Sequence, residues 1–187
     1  MSKEIAILNN KTPDYFLQEN TTLPVDIIRI LQKMNIDVIK ESFDMLQERL
    51  PFKNTTIDAI TYVEQSGLKI LYDQHLDVKN KRFTLAHELA HCCLHMNANN
   101  YCHIELQTHS DIFGKEKGKL VSSTVNQEKI ADKFARELLI PSSSLFYLLN
   151  KSETLSIEEL SDIYGVPFDQ MQKRIEEVYI EFFRRKK

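Results

Sequence analysis

Two histidines spaced four residues apart on one predicted helix constrain this chain of 187 residues more than any other feature. The segment from Arg82 to His95 reads RFTLAHELAHCCLH and contains His87, Glu88 and His91. A helix turns about 100° and rises about 1.5 Å per residue, so the rings of His87 and His91 share one face about 6 Å apart along the axis. Two such imidazoles can bind one metal ion, with the neighbouring carboxylate close to a water on that ion.

His95 repeats the spacing but does not extend this site. It lies about 12 Å along the helix axis from His87, which is too far for three rings to share one ion. Cys92, not a carboxylate, follows His91 in the second pair. Histidines at this spacing also occur as ordinary surface or core residues. Because catalytic zinc usually takes three protein ligands, the metal hypothesis requires one more donor.

Three sources of that donor can be considered. A third histidine on the same segment would require glycine at Leu94 and histidine at Asn97, and neither is present. Cys92 and Cys93 project away from the histidine face, so Cys102 is the cysteine that remains as an alternative. The third source is an acidic residue on a second predicted helix.

That acidic residue is Glu128, on a helix predicted over residues 126–139 that ends before Pro141. The apolar stripe of the helix includes Ala131 and Ala135, and Glu128 lies on the same face. A carboxylate on a buried face costs several kcal/mol unless a cation or hydrogen bonds satisfy it. A metal ion bound by Glu128 would remove that cost.

Asp132 lies one turn after Glu128 and close to the same stripe. It is placed to accept the free ring N–H of a ligand histidine, which would fix the tautomer of that ring. In the alternative, Asp132 points to solvent near Lys129 or Arg136, and Glu128 pairs with a lysine at the start of the helix. The metal hypothesis is favoured because it accounts for both carboxylates and both histidines together.

The rest of the pattern predicts an α+β fold with a small antiparallel sheet. Apolar residues at helical spacing after Pro24 predict an amphipathic helix. Residues 55–73 contain two β-branched runs around a turn, which is typical of a hairpin, and residues 35–43 alternate in part. Residues 97–123 are polar and irregular, and we expect a long loop there.

Residues 151–187 are predicted to form a helical subdomain after a main unit of residues 1–150. The subdomain contains a helix, a break at Gly165 and a second helix, the pattern of a helix-turn-helix. Asp169 and Glu176 on the second helix would repel phosphates, and a net charge of −3 supplies no basic field. A packing or substrate-positioning role is therefore favoured over DNA binding.

Composition predicts a globular protein of the cytoplasm. The first residues lack the charged region and apolar run of a signal peptide, and no apolar stretch has membrane-spanning length. The cysteine count is odd, at three, and Cys92 and Cys93 are adjacent, so free thiols in a reducing compartment are expected.

Together the two helices resemble those of the ImmA/IrrE family of zinc metallopeptidases. The matching residues are the run from Arg82 to His91 with His95 after it, then Glu128, Ala131, Phe134, Ala135, Leu138, Leu139 and Pro141. The order of the flanking helices and strands is also similar, and the likeness is strongest over residues 68–141. Ala90 stands where the family often has glycine, and residues 97–123 contain no motif that aligns.

The resemblance implies a zincin-like domain with a gluzincin-like site. His87, His91 and Glu128 would be the zinc ligands, and Glu88 would act as general base and then general acid in peptide hydrolysis. The strand before the active-site helix, residues 68–73, would offer its edge to an extended substrate.

Stabilisation of the oxyanion would fall to a side chain of the loop after the active-site helix. Three side chains are available, and the sequence does not choose among them: Tyr101, His103 and His109.

Family members of this kind act in bacteria, in particular on prophages and other mobile elements, by cleaving helix-turn-helix repressors. The resemblance thus implies a cytoplasmic zinc endopeptidase that relieves repression, with a repressor as its protein partner and no membrane. The alternative is a regulatory or toxin-like module that docks on a helix-turn-helix partner without cutting it.

Overall fold

Helices and strands account for most of the residues that the computed structural model describes, which are 8, 10–18, 22–49, 55–64, 67–94, 102–108, 125–151 and 155–184. In chain order they are α1 (Pro13–Leu17), α2 (Ile27–Lys33), β1 (Ile36–Glu41), α3 (Asp44–Gln47), β2 (Thr55–Glu64), β3 (Gly67–Asp73), α4 (Val78–Leu94), β4 (Cys102–Thr108), α5 (Val125–Leu139), α6 (Ser142–Lys151), α7 (Ile157–Tyr164) and α8 (Phe168–Arg184). The predicted α+β class is confirmed. No helix among these residues is long and apolar enough to cross a membrane.

The sheet has the strand order β1-β3-β2-β4 and is mixed. The predicted hairpin is confirmed, since β2 and β3 pair antiparallel with Glu64 opposite Gly67. β1 pairs with β3 in parallel, so the prediction of an antiparallel sheet is wrong at that strand. Only strands joined by a tight turn must run antiparallel, and here α3 and β2 separate β1 from β3 along the chain.

The fourth strand, β4, lies inside the segment predicted to be a long loop. It pairs antiparallel with β2, with His103 opposite Thr61, and the register shifts between Ile57 and Ala59. The loop prediction for residues 97–123 is therefore wrong for residues 102–108, where apolar and polar residues alternate as CHIELQT. β3 lies between β1 and β2, so the expected docking edge at residues 68–73 is also wrong.

α4 is the most buried helix of the fold. It runs from Val78 to Leu94, and its residues from Phe83 to Cys93 are all buried. One side of α4 contacts the sheet and another contacts α5. A helix enclosed in this way is apolar on most faces, so its two histidines and one glutamate must find polar partners inside the protein.

α5 has nearly the predicted bounds, and a further helix follows it at once. Pro141 ends α5, as expected, but its carbonyl also accepts from the backbone N–H of Leu145 and the Oγ of Ser144 in α6. α6 was not predicted from the sequence. Proline is tolerated at the start of a helix because no intrahelical bond needs its missing N–H there.

The C-terminal helices α7 and α8 form as predicted around Gly165. Ser156 and Glu159 make both hydrogen bonds of a capping box, and Gly165 ends α7 with φ of +60°. A Cβ atom at Gly165 would lie 2.9 Å from Nε of Arg82 on α4. Arg82 donates from Nε to the Gly165 carbonyl and from a terminal nitrogen to the Val25 carbonyl. This turn is thereby fastened to the start of α4.

α8 also holds α5 in place. Arg136 of α5 donates to Glu177, and Arg174 of α8 donates to the backbone carbonyl of Ile140. Tyr164 and Met171 of the C-terminal pair belong to the same apolar core as α4 and α5. The division into residues 1–150 and 151–187 stays a prediction.

Candidate metal centre

Three side-chain atoms from α4 and α5 converge on one point. Nε2 of His87 lies 3.0 Å from Oε2 of Glu128 and 2.9 Å from Nε2 of His91. The third side of the triangle, from Nε2 of His91 to Oε2 of Glu128, is 3.4 Å. Ligands about 2.0–2.1 Å from a tetrahedral ion lie about 3.3 Å from one another, so these atoms are spaced to hold a metal ion.

The packing of α4 on α5 creates this arrangement and leaves one side open. His87 and His91 are 2% and 0% exposed, whereas the Glu128 side chain is 35% exposed. Glu128 therefore lies half-buried at the rim of this cluster. Its place in the apolar stripe of the helix had predicted a buried position. Solvent can approach the three atoms from the Glu128 side.

Asp132 contacts the outer nitrogen of a ring in this cluster. Its Oδ1 lies 2.9 Å from Nδ1 of His87. A carboxylate only accepts hydrogen bonds, so Nδ1 of His87 carries a proton and donates it. The alternative, in which Asp132 pairs near Lys129 or Arg136, is less consistent with this contact, and Arg136 donates instead to Glu177 and Gln170.

The hydrogen bond to Asp132 places a proton on Nδ1 of His87, and this determines whether the other ring nitrogen, Nε2, can bind a metal. In the neutral ring Nε2 offers a lone pair, and it faces a carboxylate oxygen of Glu128 and the Nε2 of His91. Electron pairs that converge at about 3 Å repel unless a proton or a cation lies among them. Two neutral imidazoles and one carboxylate are also a ligand set that suits zinc. These residues therefore fit a metal ion.

Glu88 directly follows His87 on α4 and is fully buried. Its Oε2 accepts a hydrogen bond from Oγ1 of Thr61, on β2. Glu88 was predicted from the sequence, whereas Thr61 was not. The signal that could have found it is a hydroxyl in a row of apolar residues on β2, between Ala59 and Val63.

The two buried cysteines of α4 are poor metal ligands. Burial raises the pKa of Cys92 well above its ordinary value, and the charges of Cys93 and Glu88 add to the effect. Burial also raises the pKa of Cys93 to about 12. Both thiols are free, as expected, and stay protonated at neutral pH, whereas metals bind thiolates.

Several predicted candidates fall where nothing can be said of their side chains. His95, Tyr101 and His109 lie outside the described residues, and so do the side chains of Cys102 and His103.

A helix with two histidines and an intervening glutamate, together with a carboxylate from the next helix, forms a cluster that is compatible with a metal ion. Residues 32–176 match the peptidase family described as the IrrE N-terminal-like domain, and the chain belongs to that family. The resemblance noted in the sequence is thereby confirmed. No curated protein and no solved structure matches the chain.

Proposed function

We propose that this chain is a zinc-dependent endopeptidase with a zincin-like catalytic domain, and that its substrate is a helix-turn-helix transcriptional repressor. One observation carries the catalytic part of the proposal: one ligand atom each from His87, His91 and Glu128 converges on one point. Glu88 follows His87 on the same helix, and its carboxylate accepts a hydrogen bond from Thr61. Membership of a peptidase family supports the same reaction class.

The ligand residues and the base have separate roles. His87, His91 and Glu128 would hold zinc, which acts as a Lewis acid and brings the pKa of a bound water near neutrality. Glu88 takes a proton from the attacking water and passes it to the leaving amine. Asp132 keeps His87 in the tautomer that presents Nε2 to the site.

β4 is the strand edge that we propose for substrate docking. β4 pairs with β2 on one side, and no other described strand pairs with it. β2 contains Thr61, which reaches Glu88, so β4 lies about 4.8 Å further from the base, one strand away. An extended peptide added to β4 would lie two strand spacings, about 9.6 Å, from β2 and Thr61.

The resemblance to ImmA/IrrE proteins supports the class of substrate and the setting. Repressor cleavage would place the protein in transcription regulation of a bacterial prophage or mobile element, in the cytoplasm. The alternative, a binding module that displaces its partner without cleavage, would not need Glu88.

Metal removal tests the proposal. Purified protein should contain about one zinc per chain, because the three protein ligands form one site. Incubated with a helix-turn-helix repressor encoded beside its gene, and with a proteome-derived peptide library, the zinc-loaded protein should create new N-termini that mass spectrometry detects. Chelation should stop cleavage and added zinc should restore it. Cleavage that continues in the chelated protein, or a zinc-loaded protein that cuts neither substrate, would refute the endopeptidase.

Asp132→Asn tests whether Asp132 fixes the tautomer of His87. The substitution keeps the side-chain shape but removes the charge that holds the His87 N–H, so zinc affinity should fall by about 10–100-fold. Competition with a coloured chelator measures this affinity. Asp169→Asn, the same change at an exposed position on α8, is the control and should leave the affinity unchanged. Equal affinity in the two variants would remove Asp132 from the site.

A further inference from the structure

Thr61 occupies a position where packing alone would favour an aliphatic residue. Its side chain is fully buried on β2, and it lies opposite the buried Ile70 of β3. Ala59 and Val63 precede and follow it on the same face of the strand. A buried hydroxyl costs free energy unless it is hydrogen-bonded, and valine would fill the same volume without that cost.

The hydroxyl of Thr61 is matched to Glu88. Oγ1 donates to Oε2 of the carboxylate, which is itself fully buried. A buried carboxylate is stabilised by such a donor, and hydrogen bonds to a charged group are stronger than those between neutral groups. Each group therefore offsets the burial cost of the other, across the contact between the sheet and α4.

We propose that Thr61 is a positioning residue, which fixes the Glu88 carboxylate in the orientation needed for proton transfer at the metal centre. The inference rests on the proposed function, because it assumes that Glu88 is the base. Thr61 acts through Glu88 and does not itself contact the reacting atoms.

The rigidity of the strand makes Thr61 suitable for this task. β2 is paired on both sides, by β3 and by β4, and Thr61 lies in the paired part opposite both strands. Threonine is β-branched and has few side-chain rotamers, whereas a glutamate side chain has three rotatable bonds. Catalytic groups must be held within about 0.5 Å of their productive position, and a rigid strand can supply that restraint.

Three variants of β2 test the role. Thr61→Val removes only the hydroxyl and should lower kcat by about 10–100-fold with KM and zinc content unchanged, because a displacement of about 1 Å costs about 100-fold. Thr61→Ser keeps the hydroxyl and should restore most of the activity. Thr56→Val makes the same chemical change at a partly buried position earlier on β2, and it should leave kcat unchanged. The substrate is a quenched peptide chosen from those that the wild-type protein cuts in the library.

A second measurement does not depend on activity. Thr61→Val should lower Tm by about 3–9 °C in the wild-type background, because a buried carboxylate loses its donor. In a Glu88→Leu background the same substitution should leave Tm unchanged or raise it. An equal loss of Tm in both backgrounds would show that Thr61 and Glu88 are not coupled, and it would overturn the inference.

The outcomes separate this inference from the proposed function. If the wild-type protein cuts peptides, Glu88→Gln is inactive and Thr61→Val is fully active, Thr61 has no positioning role and the endopeptidase stands. If the zinc-loaded wild-type protein cuts nothing, the proposed function fails, and with it the catalytic role of Thr61. Loss of kcat in Thr61→Val with rescue by Thr61→Ser supports both.

Discussion

Glu88→Gln is expected to abolish peptide cleavage and to leave the fold and the zinc content intact. Glutamine has nearly the same shape, and its carbonyl oxygen can still accept the hydrogen bond from Thr61. The amide cannot take up a proton at neutral pH, so general base catalysis is lost, a loss of about 10²–10⁴-fold in kcat. Zinc analysis, circular dichroism and a quenched-peptide assay measure the three properties in one preparation.

Glu176→Gln is the matched control, because Glu176 is exposed on α8 and lies outside the proposed site. It should retain the kcat of the wild-type protein. The substitution at Glu88 also separates the two functional hypotheses. A non-catalytic module that docks on a repressor would release it from DNA equally well with glutamine at position 88. Full release of the intact repressor by Glu88→Gln would favour the module over the endopeptidase.

The sequence was most informative where one chemical requirement linked distant residues. Helical spacing predicted that His87 and His91 share a face. The carboxylate of Glu128 in an apolar stripe predicted which helix packs against these histidines. Asp132 followed from the same reasoning, since a second acid one turn away needs its own partner. These inferences need only helix geometry and the cost of burying charge, and both are local properties of the sequence.

Strand pairing was harder to predict because it depends on tertiary contacts. The parallel pairing of β1 with β3 has no local signal in the sequence, since the connection between the two strands runs through α3 and β2. The alternation of β4 was outweighed by the polar residues around it. The wrong prediction of β3 as a docking edge had the same cause, because β3 is an inner strand only when β1 pairs beside it.

The contact between Thr61 and Glu88 shows the same limit at a single residue. Thr61 is 27 residues away from Glu88 along the chain, and nothing local in β2 indicates which helix side chain its hydroxyl meets. Only the packing of α4 on the sheet brings the two groups together. A buried polar residue in an apolar row indicates that a hydrogen-bond partner exists, but it does not indicate which residue that partner is.

Glu128→Ala is expected to remove zinc binding and with it the thermal stabilisation that zinc provides. An ion that binds the folded state at 100 times its Kd stabilises it by about 2.7 kcal/mol. For a chain of this length that corresponds to a rise in Tm of about 5–10 °C. Loss of a direct ligand should lower the zinc affinity by more than the roughly 10–100-fold that is typical for loss of an outer hydrogen-bonding partner. The same zinc concentration should therefore leave Tm of the variant almost unchanged.

The metal-free proteins provide the internal comparison for this measurement. The Glu128 side chain is 35% exposed at the rim of the cluster, so its truncation should change Tm of the chelated protein little. Glu176→Ala, at an exposed position on α8, should show the full wild-type response to zinc. If Glu128→Ala binds zinc as tightly as the wild-type protein, the third ligand comes from another segment. Cys102 would then be the first residue to substitute, because it is the alternative donor that the sequence offers.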